Sequence, residues 1–179
     1  MMRLQVAAFL IGKLLLAFAC FMLLPLGYAV IQGEEGWWAF FLSACITGLI
    51  GYALVYYGER EGHIGLREGF LVVAGSWLTT CFLGSLPFWL SGAVPGFIDA
   101  LFESVSGLTA TGASVINDLE TLPRSILLWR SLTHWVGGMG IIVLFVVFLK
   151  NLGAEAVNLF KAEVPGPKVE RVMPRISSL

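Results

Sequence analysis

The 179-residue chain is 58% hydrophobic and only 13% charged, where soluble domains carry about 25% charged residues. With a mean hydropathy of +0.85, this excludes an ordinary soluble domain and indicates a membrane protein. The formal net charge of −1 argues nothing about partners, but with no basic domain nucleic-acid binding is not expected.

The first apolar run, Leu4 to Ile31, is longer than the apolar core of a signal peptide, so it reads as a retained helix despite Ala17-Phe18-Ala19. Lys13 interrupts it and must snorkel, pair or face protein. Pro25 and Gly27 are candidate kink positions. After Gln32-Gly33-Glu34-Glu35-Gly36, a second run begins at Trp37-Trp38 and ends at Tyr56-Tyr57, aromatics that suit the two headgroup belts. Gly48 and Gly51 permit close helix approach.

A polar loop, residues 58–68, precedes a third run from Gly69 to Leu90. Ser91-Gly92 and Pro95-Gly96 then break the chain. Phe97 to Val105, FIDALFESV, is too short to span, at about 14 Å of helix. The uncharged stretch SGLTATGAS follows at Ser106–Ser114. A polar turn, Asn117–Pro123, leads to a last long run, Ser125–Leu149, and a polar tail, Lys150–Leu179.

The order is helix, helix, helix, half-helix, polar loop, helix: an all-α polytopic membrane protein. Arg3, Arg60, Arg67, Lys150, Lys161, Lys168, Arg171 and Arg175 fall on one side, with Arg124 and Arg130 near the other. The positive-inside rule therefore puts both termini in the cytoplasm, and four crossings agree with that. The half-helix and SGLTATGAS then enter and leave from outside.

Irregular backbone at membrane depth needs protein or water around it. An ion filter supplies a reason: a dehydrating cation needs oxygens in place of its water shell, and backbone carbonyls provide them. Glycine allows the dihedrals that turn successive carbonyls to one axis. Thr109, Ala110, Thr111 and Gly112 carry this chemistry. The competing reading is an ordinary outside turn, since Gly, Ser and Thr are common in turns. The preceding half-helix and the flanking spans favour the filter.

The ordered motifs REGFLVVAGSWL (Arg67–Leu78), SLPFWLSG (Ser85–Gly92) and FIDALFESVSGLTATGAS (Phe97–Ser114) resemble the Trk/Ktr/HKT superfamily of potassium transporters. WRSLTHWVGGMGIIVL (Trp129–Leu144) and KAEVPGPKVERVMPRI (Lys161–Ile176) narrow the resemblance to its bacterial TrkH/TrkG branch. The resemblance implies four joined helix–pore loop–helix repeats around one pore, preceded by a helix hairpin. On that map residues 1–57 are the hairpin, 58–68 a cytoplasmic loop, 69–149 the first repeat and 150–179 a cytoplasmic tail. Within the repeat, 97–108 is the pore helix and 109–114 the filter strand. Potassium is then the substrate, bound mainly by the carbonyls of Thr109, Ala110, Thr111 and Gly112, with no cofactor on this chain. Ala110 stands where the family commonly has threonine, which matters little if carbonyls coordinate.

The resemblance also implies the bacterial inner membrane, a homodimeric full-length transporter and a TrkA-like cytosolic nucleotide-binding partner, for which Lys150–Arg175 is the expected docking side. Only one pore loop is present where the family has four. The chain is therefore read as the N-terminal portion of a longer transporter. The alternatives are identical chains assembled around a pore and a non-conducting assembly subunit.

Other residues carry paired readings. Glu103 either lends negative potential to the outer mouth or pairs locally with Arg124 or Arg130. Asp99 complements the positive end of its helix. Gly137-Gly138-Met139-Gly140 is a hinge or a close packing point. His134 has no second ligand at metal spacing and reads as packing. Cys20, Cys45 and Cys81 lie in separate apolar runs and read as packed thiols. With no GxSxG, HExxH or nucleophile–base pair, an intramembrane enzyme is not expected.

Overall fold

The computed structural model describes residues 4–60 and 66–140. The expected tail, residues 141–149 of the last apolar run and residues 61–65 of the 58–68 loop lie outside the described residues. So does the docking side at Lys150–Arg175.

Two long apolar runs become helices because a helix satisfies its own backbone polar groups without water. Helix α1 (Leu4–Gln32) continues through Pro25 to its end. Helix α2 (Trp37–Tyr57) packs antiparallel against it. Lipid gives apolar side chains little reason to prefer protein over acyl chains, so close backbone contact must hold the pair. The contact face of α2 is accordingly small: Ala39, Ser43, Ala44, Thr47 and Gly51 are all buried. A Cβ at Gly12 would lie 2.7 Å from the Gly51 carbonyl, and one at Gly51 would lie 3.0 Å from that of Gly12. Leu15 packs beside Gly51, and Met22 and Phe40 are buried farther along the two helices. Leu23, Leu24, Phe41, Leu49 and Tyr56 point outward on surfaces suited to lipid.

The end of α1 is built by Gly33. With φ of 69° it lets the Gly33 N–H donate to the Val30 carbonyl and the Glu34 N–H to that of Ala29. This pair of bonds closes a helix whose last carbonyls would otherwise be orphaned.

The sequence suggests one run over Gly69–Leu90. The structure divides it into α3 (Leu66–Gly84) and α4 (Leu86–Leu90), with Ser85 in the turn between. Pro87 has no N–H to continue the ladder. The Ser85 hydroxyl donates to the Phe82 carbonyl at 2.6 Å instead. Together α1, α2 and the Gly69–Leu90 unit are the three helical segments long and apolar enough to cross a membrane among the described residues.

Helix α5 (Phe97–Leu108) is amphipathic. Ile98, Phe102 and Val105 face outward, while Ala100, Glu103, Ser104, Gly107 and Leu108 are buried. Phe97 sits edge-on between Phe82 and Trp89, with ring centroids 5.5 and 5.4 Å away. The Ser104 hydroxyl donates to the Cys81 carbonyl at 2.8 Å. These contacts fix α5 against α3 and α4.

Residues 124–140 form α6, the described part of the expected last span. Gly137, Gly138 and Gly140 do not interrupt it. Ser125, Trp129, Thr133 and Gly137 recur every four residues, forming one ridge down the helix. All four are buried. Trp129 is the centre of the main core: it packs on Phe18 and Phe40 of the hairpin at 5.4 and 6.4 Å. Its Nε1–H donates to the Gly84 carbonyl at 3.0 Å. The fold is all-helical among the described residues. Within the expected filter segment Thr109–Ser114, residues 109–110 form a turn and 111–114 have no regular secondary structure.

Candidate functional site

The loop of interest begins as the end of α5. Ala110 has φ of 54°, the left-handed region that L-residues avoid. The Ala110 N–H donates to the Gly107 carbonyl at 2.9 Å and the Thr111 N–H to that of Ser106 at 3.0 Å. This is the helix-closing pair already seen at Gly33, built here on alanine. Ala110 therefore terminates α5, a role that its residue type does not announce. Gly112 follows with φ of 78° and, among the described residues, nothing within 4 Å of where a Cβ would stand. Two left-handed residues separated by one reverse the local backbone twice.

The threonine hydroxyls are turned back into this cap. Thr109 Oγ1 donates to the Val105 carbonyl at 2.7 Å and lies 2.8 Å from Thr111 Oγ1. Ser106 Oγ donates to the Ala113 carbonyl at 2.5 Å. Among the described residues, no hydrogen bond reaches the carbonyl oxygens of Thr109, Ala110, Thr111 or Gly112. All four residues are exposed. The structure thus brings the four candidate residues into one strained, open turn whose main-chain acceptors are unspent.

The chain beyond this turn is held by Glu103. That side chain is 1% exposed, and three donors surround its carboxylate. Oε1 accepts from the Ser114 hydroxyl at 2.6 Å and the Val115 N–H at 2.7 Å. Oε2 accepts from Arg130 Nε at 3.2 Å. Of the two readings of Glu103, the local pair with Arg130 is the one present, and it also pins the loop. A buried carboxylate needs such partners because its desolvation is costly.

The ridge of α6 meets the C-terminal end of α5. A Cβ at Gly137 would overlap the Leu108 carbonyl oxygen, and one at Gly107 would overlap Thr133 Oγ1. Gly137 is therefore a packing point. His134 Nδ1 lies 2.8 Å from the Arg130 carbonyl, within its own helix. No cluster of metal-ligating side chains occurs among the described residues. Asp99 lies in the first turn of α5, where its charge suits the helix dipole.

Sequence reading gave no role to Glu34 or Ser125, and it took Ser106 and Ser114 only as members of SGLTATGAS. The first belongs to a turn at the far end of the hairpin. Both carboxylate oxygens of Glu34 face Ser125: they accept its N–H at 3.3 and 3.4 Å, and Oε2 also accepts its hydroxyl. The four-residue ridge of α6 was the available signal for Ser125.

The family model for TrkH, described as a cation transport protein, matches residues 36–179. The chain belongs to the TrkH family. It is 40% identical to the Trk system potassium uptake protein TrkH of Halomonas elongata, over 98% of this chain and 37% of that protein. It is 35% identical to the Trk system potassium uptake protein TrkG of Escherichia coli, over 97% of this chain and 36% of that protein. The fold is similar to the crystal structure of the potassium transporter TrkH from Vibrio parahaemolyticus, with a TM-score of 0.78 and 36% identity. That match covers 83% of this chain and 32% of the other. The chain spans a little over a third of the length of these curated relatives. This TrkH-family chain is a multi-pass membrane protein, and its relatives are transporters, not enzymes.

Proposed function

We propose that this chain contributes one wall of a potassium-selective pore, with the main-chain carbonyls of Thr109, Ala110, Thr111 and Gly112 as ion ligands. The observation that carries the reading is the set of four consecutive carbonyls left without donors among the described residues, in a turn bent by Ala110 and Gly112. Neutral oxygens suit a monovalent cation that must bind and leave quickly. The printed names of the relatives, potassium uptake proteins, supply the ion. Residues 1–57 serve as a supporting hairpin and 69–149 as one pore repeat, with α5 as its pore helix. One loop cannot encircle an ion, so further pore loops, from the same polypeptide or from other chains, complete the cage.

On this reading the chain lies in the bacterial inner membrane with both termini in the cytoplasm. It works in a homodimeric transporter beside a TrkA-like cytosolic regulatory subunit. The test is Gly112→Ser in the complete reading frame that carries these residues, expressed in cells lacking potassium uptake. Weakened affinity or ion preference at normal membrane amount is expected. Unchanged uptake kinetics and preference would remove the filter assignment.

A further inference from the structure

Pro123 stands just before the first helical residue of α6 and has no side-chain acceptor. The N–H of Ser125, in the first turn, is one of the donors that every helix start leaves unpaired. A residue ninety-one positions earlier satisfies it: Glu34, in the α1–α2 turn, accepts both the N–H and the hydroxyl of Ser125. Ser125 is 1% exposed, so water does not readily take this place. A carboxylate is the favoured acceptor there because the helix dipole adds to the hydrogen bonds.

The same ridge of α6 then carries the contact inward. One turn below Ser125, Trp129 is clasped by Phe18 and Phe40 of the hairpin. Beside it, Arg130 holds Glu103, which holds Ser114 and Val115 at the end of the loop. Lower still, Thr133 and Gly137 abut Gly107 and Leu108. A shift of α6 along its axis would therefore move both ends of the loop together.

We infer that Glu34 is a positioning residue for ion binding: by capping α6 from the hairpin it fixes the height of that helix, and through Arg130 and Glu103 the height of the candidate filter. This rests on the filter reading given above. It gives the hairpin a part in selectivity beyond membrane anchorage.

The experiment uses the complete reading frame and measures rubidium and potassium uptake at matched membrane amounts. In Glu34→Ala the KM should rise roughly threefold to tenfold, the counterpart of one lost helix cap. Glu34→Gln keeps an acceptor for the Ser125 N–H and should recover most of the affinity. Glu34→Ala combined with Ser125→Ala should be no worse than Glu34→Ala alone, since both remove one contact. An unchanged KM in Glu34→Ala, or additive losses in the double variant, would overturn the inference. If Glu34→Ala does not reach the membrane, Ser125→Ala decides. It drops only the hydroxyl: a raised KM supports the inference and an unchanged KM overturns it. Gly112→Ser, run in parallel, separates the two ideas. A Gly112 effect without a Glu34 effect sinks only the positioning role, whereas no Gly112 effect removes the filter itself.

Discussion

Arg130 Nε lies 3.2 Å from Glu103 Oε2, across twenty-seven residues of sequence, and the other oxygen of the same carboxylate holds the chain at Ser114 and Val115. The pair joins α6 to the far side of the loop through one buried group. Removing Arg130 leaves that group buried with its charge uncompensated. Arg130→Ala should therefore lose roughly 3–5 kcal/mol of stability, as broken buried pairs do. Glu103→Gln keeps the shape and one acceptor, so it should cost less. Thermal denaturation of the purified protein in detergent checks the order; equal losses would mean that the charge is not what matters.

Two neighbouring glycines on α6 offer a paired test. A methyl group at Gly137 would meet the Leu108 carbonyl, whereas none of the described residues lies within 4 Å of a Cβ at Gly138. Gly137→Ala should cost about 1–3 kcal/mol through overpacking. Gly138→Ala should be neutral or slightly stabilising. Comparing the melting midpoints of the two variants is sufficient, and equal effects would contradict the packing described for α5 and α6.

Ala110 adopts the backbone conformation that helix ends usually reserve for glycine. Ala110→Gly should relieve about 1 kcal/mol of local strain. The expected result is a higher melting midpoint with α5 otherwise intact. A fall in the midpoint would show that the loop gains more from the alanine methyl than it loses in strain.

The hairpin makes a similar prediction at its centre. Gly12→Val would drive a branched side chain into Gly51, Leu54 and Val55 of α2, where even a Cβ would stand 2.7–2.9 Å from its neighbours. It should separate the two helices and lower the yield of folded protein in membranes. Gly27→Val, with none of the described residues within 4 Å of its Cβ, is the control. Equal yields would show that α1 and α2 need no close approach.

Orientation can be read with single cysteines. Glu35 in the α1–α2 turn and Glu59 beyond α2 are both exposed and lie at opposite ends of the hairpin. In a background free of Cys20, Cys45 and Cys81, an impermeant thiol reagent added to intact cells should label Glu35→Cys and not Glu59→Cys. The reverse pattern would invert the topology and put the loop on the wrong side for the uptake proposed above.

Much of the fold was legible because membrane helices announce themselves by length. The runs behind α1 and α2 needed only counting, and Gly33 marks the stop between them. The half-helix at Phe97 was visible from Pro95-Gly96 before it and small residues after it. Ser85 was harder, since a turn inside an apolar run follows from Pro87 and a serine back-bond that periodicity does not register. Ala110 was illegible as a helix end because alanine is the strongest helix former, and only the bonds to Ser106 and Gly107 disclose its part. Glu34 and Ser125 could not be paired from sequence, because nothing local links residues so far apart. Glu103 was flagged by its charge, and its choice of Arg130 over Arg124 required coordinates.

The link from Glu34 to Ser125 also bears on biosynthesis. Chains leave the ribosome from the N-terminus, and early units can fold before later ones exist. The α1–α2 hairpin closes through contacts near in sequence, so it can assemble while the remainder is still being made. The acceptor for the head of α6 is thus in place before α6 is synthesised. The nascent hairpin serves as a template with a waiting carboxylate, against which the arriving segment sets its depth.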